Sequence, residues 1–233
     1  MKKSPAEISE AVESAREELI AFLQKMVQTA SLPNHEHNVQ NLVAQKLRSL
    51  GMEVEIVPSN FDDLKDHPAF GDDGFSPTDR VNVIGRWPGT HTGEGKSIIL
   101  NGHVDVVPVG DLSLWVDSPW SGVIREGKMF GRGSCDMKSG LCAGIFAVDV
   151  LQRLGYQPAR DVLIESVIGE ESGGIGTLTT IVKGYTADAV ILLEPTRLEI
   201  SPVQSGALTF RLTVPGRSIH AAMKAYGVSA IEK

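Results

Sequence analysis

Three short apolar segments, each leading into an acidic or histidine-containing motif, constrain the fold of this chain more than any other feature. The segments and the polar residues after them are 97–100 with His103 and Asp105, 162–168 with Glu170 and Glu171, and 189–193 with Glu194. Unbroken apolar runs of this length are typical of buried strands. Segments with helical spacing separate them, and strands that alternate with helices indicate a mostly parallel sheet. We therefore predict an α/β fold with flanking helices, in which the polar motifs meet at one edge of the sheet.

The remaining elements fit the same architecture. Apolar residues three and four positions apart predict one amphipathic helix over 7–28 and another over 39–50, with Gly51 as its C-terminal cap. Strands are predicted at 52–57 and 81–86. The residues between these two strands have no periodicity and predict an irregular excursion, which either shapes a site or decorates it. Further helices are predicted at 138–154 and 176–183.

A change of pattern after Glu199 indicates a second domain. Residues 207–214 alternate strictly between apolar and polar side chains, as in a strand with one face in water. We place the boundary near Ser205. The prediction is a metal-binding catalytic domain over 1–205 and the beginning of a small α+β domain over 206–233, with a helix starting just after His220.

His103 and Asp105 are the first pair of residues that could carry chemistry. Side chains two positions apart on a strand point to the same face, and these two lie where a buried strand ends. Imidazole is a good zinc ligand, and a neighbouring carboxylate could hold the ring in one tautomer. The alternative is a structural hydrogen bond between the two residues.

Asp136 lies between a glycine-rich turn and the start of a predicted helix. Its carboxylate has two oxygens and could bridge two cations, or it could simply cap the helix. Cys135 and Cys142 fit the role of small buried thiols better than that of metal ligands.

The remaining acidic candidates each have a structural alternative as well. Glu170 and Glu171 repel each other unless a cation or an exposed surface relieves the repulsion, and one could bind metal while the other acts as a general base. Glu194 ends an apolar run and needs a partner, which could be a metal ion or a salt bridge. Independent structural explanations for every candidate are improbable together. Carboxylates with an imidazole suit zinc, cobalt or manganese, and the scarcity of thiolate ligands argues against a purely structural zinc site.

In these motifs the chain resembles the M20 metallopeptidase and aminoacylase family, over about residues 10–230. The motifs are GHVDVVP at 102–108, GRG at 131–133, DMK at 136–138, GEE at 169–171, EPT at 194–196, GR at 216–217 and HA at 220–221. The resemblance implies a zinc-exopeptidase-like fold and two divalent ions, with Zn²⁺ expected first and Co²⁺ or Mn²⁺ as alternatives. It implies that His103 and Glu194 hold one ion, that Glu171 holds the other, and that Asp136 bridges them.

The resemblance also implies catalytic roles. Asp105 would orient His103, and Glu170 would take the proton of the attacking water and pass it to the leaving amine. In related dimers, the histidine that matches His220 belongs to a lid domain, reaches into the partner subunit's site and stabilises the developing oxyanion. We therefore expect a homodimer for the full-length protein.

The implied reaction is hydrolysis of the amide bond of N-acyl amino acids, of the deacetylase or desuccinylase type. A dipeptidase or carboxypeptidase of the same family is the first alternative. The family's last metal ligand is a histidine near the end of a longer chain, so we expect the present chain to be a fragment. An inactive metal-binding fragment is therefore the second alternative.

Composition indicates which kinds of partner and which cellular location to expect. The net charge of −7 argues against binding to nucleic acid, and no apolar run is long enough to cross a membrane. The first thirty residues carry charges throughout, which does not fit a signal peptide. Two cysteines give no disulfide framework. We expect a cytoplasmic protein that acts on a small-molecule substrate.

Overall fold

The computed structural model describes residues 3–76, 78–199, 206 and 212–233. The chain divides into two compact units, Met1–Pro195 and Thr196–Lys233. The predicted boundary near Ser205 and residues 207–211 of the predicted strand lie outside the described residues. The division into 1–205 and 206–233 therefore stays a prediction.

The first unit is built around a five-stranded sheet. The described strands are β1 (Glu53–Pro58), β2 (Val81–Trp87), β3 (Ile98–His103), β4 (Val123–Arg125), β5 (Lys128–Phe130), β6 (Val162–Val167) and β7 (Ala189–Leu192). The sheet has the order β1–β2–β6–β3–β7, and β4 and β5 form a separate hairpin. The strands predicted at 52–57, 81–86, 162–168 and 189–193 are present within a residue of these bounds, and the one predicted at 97–100 extends to His103.

The sheet is mixed in direction. Strand β3 pairs in parallel with both β6 and β7, whereas β2 pairs antiparallel with both β1 and β6. Only β2 therefore runs against the other four strands of this sheet. A parallel pair needs a crossover connection, usually a helix, whereas the described part of the excursion between β1 and β2 carries one four-residue helix and the chain returns antiparallel. The predicted α/β class with flanking helices is confirmed.

The described helices are α1 (Pro5–Ser14), α2 (Arg16–Gln28), α3 (His37–Ser49), α4 (Phe61–Leu64), α5 (Lys138–Arg153) and α6 (Ile175–Val182). The single helix predicted over 7–28 is two helices that meet at the buried Ala15. The Ser14 hydroxyl donates a 2.8 Å hydrogen bond to the carbonyl of Ala11, and such a bond offers the backbone an alternative to a continuing helix. None of the described helices has the length and apolar character that a membrane span requires.

Alternate residues of the central strands build two apolar clusters. Successive side chains of a strand point to opposite faces, so Val83 and Ile164 enter the large core, which the buried residues of α2, α3 and α5 share. Their neighbours Ile84 and Leu163 enter a small second cluster on the other face. The edge strand β7 has four exposed residues. One face of the sheet thus carries most of the apolar core.

The second unit is small. A short 3₁₀ helix, Ala221–Tyr226, follows His220, and an isolated bridge pairs Arg217 with Val228. The predicted helix thus starts where expected, but it is a 3₁₀ helix and ends at Tyr226.

Candidate metal centre

The parallel strands bring the sequence motifs to one edge of the sheet. His103 ends β3, and the register places it opposite Val167, the last residue of β6. Strand β7 ends beside Asn101 of β3 and leads directly into Glu194. Because these three strands point the same way, their carboxyl ends form one edge where ligands can bind.

His103 lies at the centre of this edge with only 1% of its surface exposed. Its Nδ1 lies 2.9 Å from the backbone carbonyl oxygen of Asp105, so Nδ1–H donates this hydrogen bond and the neutral ring would offer the Nε2 lone pair to a metal ion. The buried Nε2 has no hydrogen-bond partner among the described residues. Buried unpaired nitrogens are rare in native proteins and are one indication of an ion site.

Carboxylates from three segments surround that nitrogen. His103 Nε2 lies 3.4 Å from Asp136 Oδ1, 3.6 Å from Glu194 Oε1 and 3.7 Å from Glu170 Oε2. Potential ligand atoms within 4.8 Å of one another form two groups, His103 with Asp136 and Glu171, and His103 with Glu170 and Glu194. The predicted metal residues are therefore clustered, and their donor set of one imidazole and hard oxygen atoms suits a divalent ion.

Asp105 has a wider role than the one expected from sequence. The carboxylate is fully buried, and its Oδ1 lies 3.5 Å from His103 Nδ1, so the closer contact to the ring comes from the backbone carbonyl. The two carboxylate oxygens instead accept the backbone N–H groups of Glu170 and Glu171, each at 3.1 Å. Asp105 therefore holds the imidazole and both adjacent glutamates in place.

The helix-cap alternative for Asp136 and the salt-bridge alternative for Glu194 do not fit the geometry. The residue at the N-cap of α5 is Met137, not Asp136, and the helix has no side-chain cap. Asp136 precedes a cis peptide bond and leaves more than half of its side chain exposed. Within the described residues, no lysine or arginine forms an ion pair with Glu194 or Glu170, and both approach the buried histidine instead.

The crowding of carboxylates around His103 shifts the protonation of the cluster. Burial would lower the pKa of His103, but the surrounding carboxylates, Asp105 above all, raise it to about 9. Burial and the neighbouring negative charges raise the pKa of Glu194 to about 7, against the opposing charge of His103. Burial, followed by the charge of Asp136, also raises the pKa of Glu171. A divalent cation would relieve this repulsion.

Two further residues, both in α5, connect segments that flank the cluster. Lys138, at the start of α5, is fully buried, and its Nζ donates to the carbonyls of Met26 (2.9 Å) and Thr29 (3.0 Å). These bonds tie the α5 start to the end of α2, and burial lowers the pKa of Lys138 to about 7. Lys138 belongs to the DMK motif at 136–138, but its burial was not expected, because lysines are rarely buried.

Gly140, two residues further along α5, makes another close contact. A Cβ at this position would lie 1.8 Å from the backbone oxygen of Leu193. Helix α5 therefore packs directly on the backbone that leads into Glu194. Gly140 was not among the predicted site residues, although a glycine early in an otherwise apolar helix is a recognised sign of close packing.

The two cysteines differ from each other. Cys142 is buried as expected, and burial raises its pKa to about 12. The expectation for Cys135 was wrong, because this residue is exposed in the turn beside Asp136. His220 belongs to the second unit, where its Nδ1 accepts the N–H of Ala222 at 3.2 Å. Its predicted role stays a prediction.

The sheet with flanking helices and the clustered carboxylates around a buried imidazole define an α/β domain of the metallopeptidase type. The chain belongs to the peptidase family M20/M25/M40, whose family model matches residues 99–231. It is 32% identical to the N-formyl-4-amino-5-aminomethyl-2-methylpyrimidine deformylase of Halalkalibacterium halodurans, over 95% of this chain and 51% of that protein. It is 27% identical to a probable succinyl-diaminopimelate desuccinylase of Staphylococcus aureus, over 94% of this chain and 50% of that protein.

Solved structures agree on the fold. Human carnosine dipeptidase 1 superposes with a TM-score of 0.65 at 19% identity, over 80% of this chain and 40% of that chain. The M20 family metallo-carboxypeptidase Sso-CP2 from Sulfolobus solfataricus superposes with a TM-score of 0.60 at 21% identity, over 75% of this chain and 37% of that chain. The chain spans about half the length of the curated relatives it matches.

Proposed function

We propose that this chain is the metal-binding, catalytic part of an amidohydrolase that cleaves the amide bond of N-acyl amino acids or similar small amides. The observation that carries the proposal is the buried, unpaired Nε2 of His103, which faces carboxylates from three chain segments. Membership of the M20 family supports the same class of reaction.

The residues present fit two divalent ions, of which Zn²⁺ is the first choice and Co²⁺ or Mn²⁺ the alternatives. We assign His103 and Glu194 to one ion and Glu171 to the other, with Asp136 shared between them. The short distances from His103 Nε2 to Asp136 and Glu194 support this assignment. So does the grouping of Asp136 with Glu171.

Divalent ions bound here would polarise the acyl carbonyl and make an attacking water more acidic. The chain supplies the proton transfers. Glu170 is half-exposed, so its carboxylate can reach a substrate, and it takes the proton of the water as the new C–O bond forms. It then delivers that proton to the amide nitrogen, which leaves as the amine when the C–N bond breaks. Asp105 fixes the backbone of Glu170 during both transfers.

We assign the oxyanion donor to His220 of the full-length homodimer, acting on the site of the partner subunit. A preorganised donor at this place would stabilise the charge that develops on the carbonyl oxygen. His220 is exposed at the start of a 3₁₀ helix, which agrees with a residue that acts outside its own unit.

The names of the similar proteins favour acyl removal over peptide cleavage. A deformylase and a desuccinylase both remove an acyl group from nitrogen, and they are the relatives with the clearer sequence similarity.

The net charge of −7 supports a small-molecule substrate over nucleic acid. Two free cysteines support a reducing, cytoplasmic location.

The proposal predicts bound metal and acyl hydrolysis in the full-length protein. Metal content is measured by elemental analysis, and hydrolysis is measured on N-formyl, N-acetyl and N-succinyl amino acids beside dipeptides. We expect about two ions per chain and turnover of one acyl class. A matched His103→Ala variant should lose both. Turnover of dipeptides alone would favour the peptidase alternative, and absence of metal from the wild type would contradict the proposed site.

Metal affinity is expected to fall as the pH is lowered. The raised pKa values mean that metal-free His103 holds a proton below about pH 9 and Glu194 below about pH 7, and both must lose it to bind an ion. The logarithm of the association constant should therefore rise by about two per pH unit below pH 7, and by about one between pH 7 and 9. Calorimetry in buffers of different ionisation enthalpy measures the released protons directly.

A Glu194→Gln variant provides the control for this pH dependence. It removes one of the two titrating ligands, so binding should be weaker overall and the slope below pH 7 should fall to about one. An affinity that stays constant across this range would contradict the assignment of His103 and Glu194 as ligands.

A further inference from the structure

The excursion between β1 and β2 ends in a fully buried arginine. Arg80 has none of its side chain exposed, and its Nη1 lies 2.5 Å from Asp73 Oδ2, while its Nη2 lies 3.3 Å from Glu36 Oε1. The carboxylate of Asp73 is equally buried. A charged group in such a place is stable only when it is paired, so the three residues form one unit.

This unit contacts the turn that carries the proposed general base. The hydroxyl of Ser172 donates a 3.1 Å hydrogen bond to Asp73 Oδ2, the same oxygen that Arg80 binds. Gly169 packs against the guanidinium, since a Cβ there would lie 2.7 Å from Arg80 Nη2. The turn therefore touches the excursion on both sides of Glu170 and Glu171.

Two carboxylates thus hold the turn from different directions. Asp105 binds the backbone N–H groups of Glu170 and Glu171, whereas Asp73 binds the side chain of the next residue, Ser172. A buried ion pair adds little to stability compared with an apolar replacement. The ion pair has a specific effect on geometry, because Arg80 fixes the position of the Asp73 oxygen that accepts the hydrogen bond from Ser172.

We propose that Asp73, held by Arg80, is a positioning residue for residues 169–174, so that the excursion sets the placement of the Glu170 and Glu171 carboxylates. This inference rests on the proposed function, in which these two glutamates act as base and ligand. The excursion therefore shapes the site, and the bond from Ser172 to Asp73 transmits its effect.

Ser172→Ala in the full-length protein is the first test, because it removes one hydrogen bond and no charge. We expect kcat to fall about tenfold with KM and the unfolding temperature nearly unchanged, since a small displacement of a catalytic group is enough to slow the reaction. Ser172→Thr keeps the hydroxyl and should recover most of the activity. The absorption spectrum of the Co²⁺-loaded protein should shift in Ser172→Ala, because Glu171 is displaced with Glu170.

Asp73→Asn tests the other end of the bond, and Asp72→Asn is its matched control. Asp72 is the neighbouring exposed aspartate, and it accepts a backbone N–H two residues ahead, as Asp73 does. We expect Asp73→Asn to lower kcat at least as much as Ser172→Ala, because it also weakens the pairing of the buried Arg80, and Asp72→Asn to leave kcat unchanged. When Ser172→Ala is added to Asp73→Asn, the further loss should be less than about twofold, because both changes act on the hydrogen bond between these two residues.

The outcomes separate this inference from the proposed function. Wild-type kcat and an unchanged Co²⁺ spectrum in Ser172→Ala would overturn the inference, as would fully multiplicative losses in the double variant. If the wild type binds metal but hydrolyses nothing, the proposed reaction is contradicted and the positioning role of Asp73 is not. The Co²⁺ spectra of the same variants would then test that positioning role. A wild type that binds no metal would overturn both.

Discussion

Glu170→Ala in the full-length protein is expected to abolish measurable turnover while both metal ions stay bound. A general base contributes roughly 10²–10⁴-fold to the rate, and we assign no second carboxylate of the described residues to replace it, since its neighbour is assigned to a metal. The fold should survive, because the side chain is half-exposed and the Asp105 carboxylate binds the backbone of Glu170. Steady-state kinetics with elemental analysis of the same sample measures both quantities.

Glu171→Ala is the matched comparison for Glu170→Ala. Both carboxylates belong to groups of potential ligand atoms around His103, so the pair of variants separates the two assigned roles. In Glu171→Ala we expect the loss of one metal ion and also the loss of turnover. In Glu170→Ala we expect the loss of turnover alone. Loss of an ion in Glu170→Ala with metal retained in Glu171→Ala would exchange the two roles. Normal turnover in Glu170→Ala would end its assignment as the base.

Gly140→Ala is expected to destabilise the protein and to weaken metal binding together. The added Cβ would lie 1.8 Å from the backbone oxygen of Leu193, so helix α5 and the segment that carries Glu194 must move apart. Leu193 resists this movement because its N–H donates to the carbonyl of Asn101 at 3.0 Å. Overpacking of this kind costs about 1–3 kcal/mol, and the better helix propensity of alanine offsets about 0.5–1 kcal/mol of it. Denaturant unfolding and metal titration measure the two effects.

Gly144→Ala supplies the control for this experiment. Gly144 lies one turn further along the same helix and also faces Leu193, but its added Cβ would meet a methyl carbon at the flexible end of the side chain, at 2.8 Å. That end can rotate away, and so we expect stability within about 1 kcal/mol of wild type and unchanged metal binding. Equal behaviour of the two variants would show that the backbone contact does not position Glu194.

The elements that carry the site were predictable from the sequence. Strand β6 and helix α5 were expected at 162–168 and 138–154, and they are found at Val162–Val167 and Lys138–Arg153. Apolar runs and helical spacing are local patterns, and parallel strands bring their carboxyl ends to one edge whatever the details of packing. The clustering of His103 with the acidic motifs followed from this rule, while the individual roles stay predictions.

Contacts between distant segments were not predictable in the same way. Ser172 and Asp73 are 99 positions apart, and Lys138 lies 112 positions from the carbonyl of Met26 that it binds. No local pattern records which buried polar groups will meet. The same limit explains Asp105, whose carboxylate lies near the histidine two residues away and also binds backbone groups about 65 positions further on. The reversed direction of β2 likewise depends on how an irregular connection returns to the sheet.

Asp105 also determines whether the conformational entropy of the backbone at the site is lost during folding or during metal binding. Its three contacts, to the imidazole through its carbonyl and to two backbone amides through its carboxylate, involve protein atoms alone. Fixing the backbone of a residue costs about 1–2 kcal/mol of conformational entropy, and here that cost falls on folding rather than on ligand binding. Metal binding should accordingly depend little on rearrangement of the turn that carries Glu170 and Glu171.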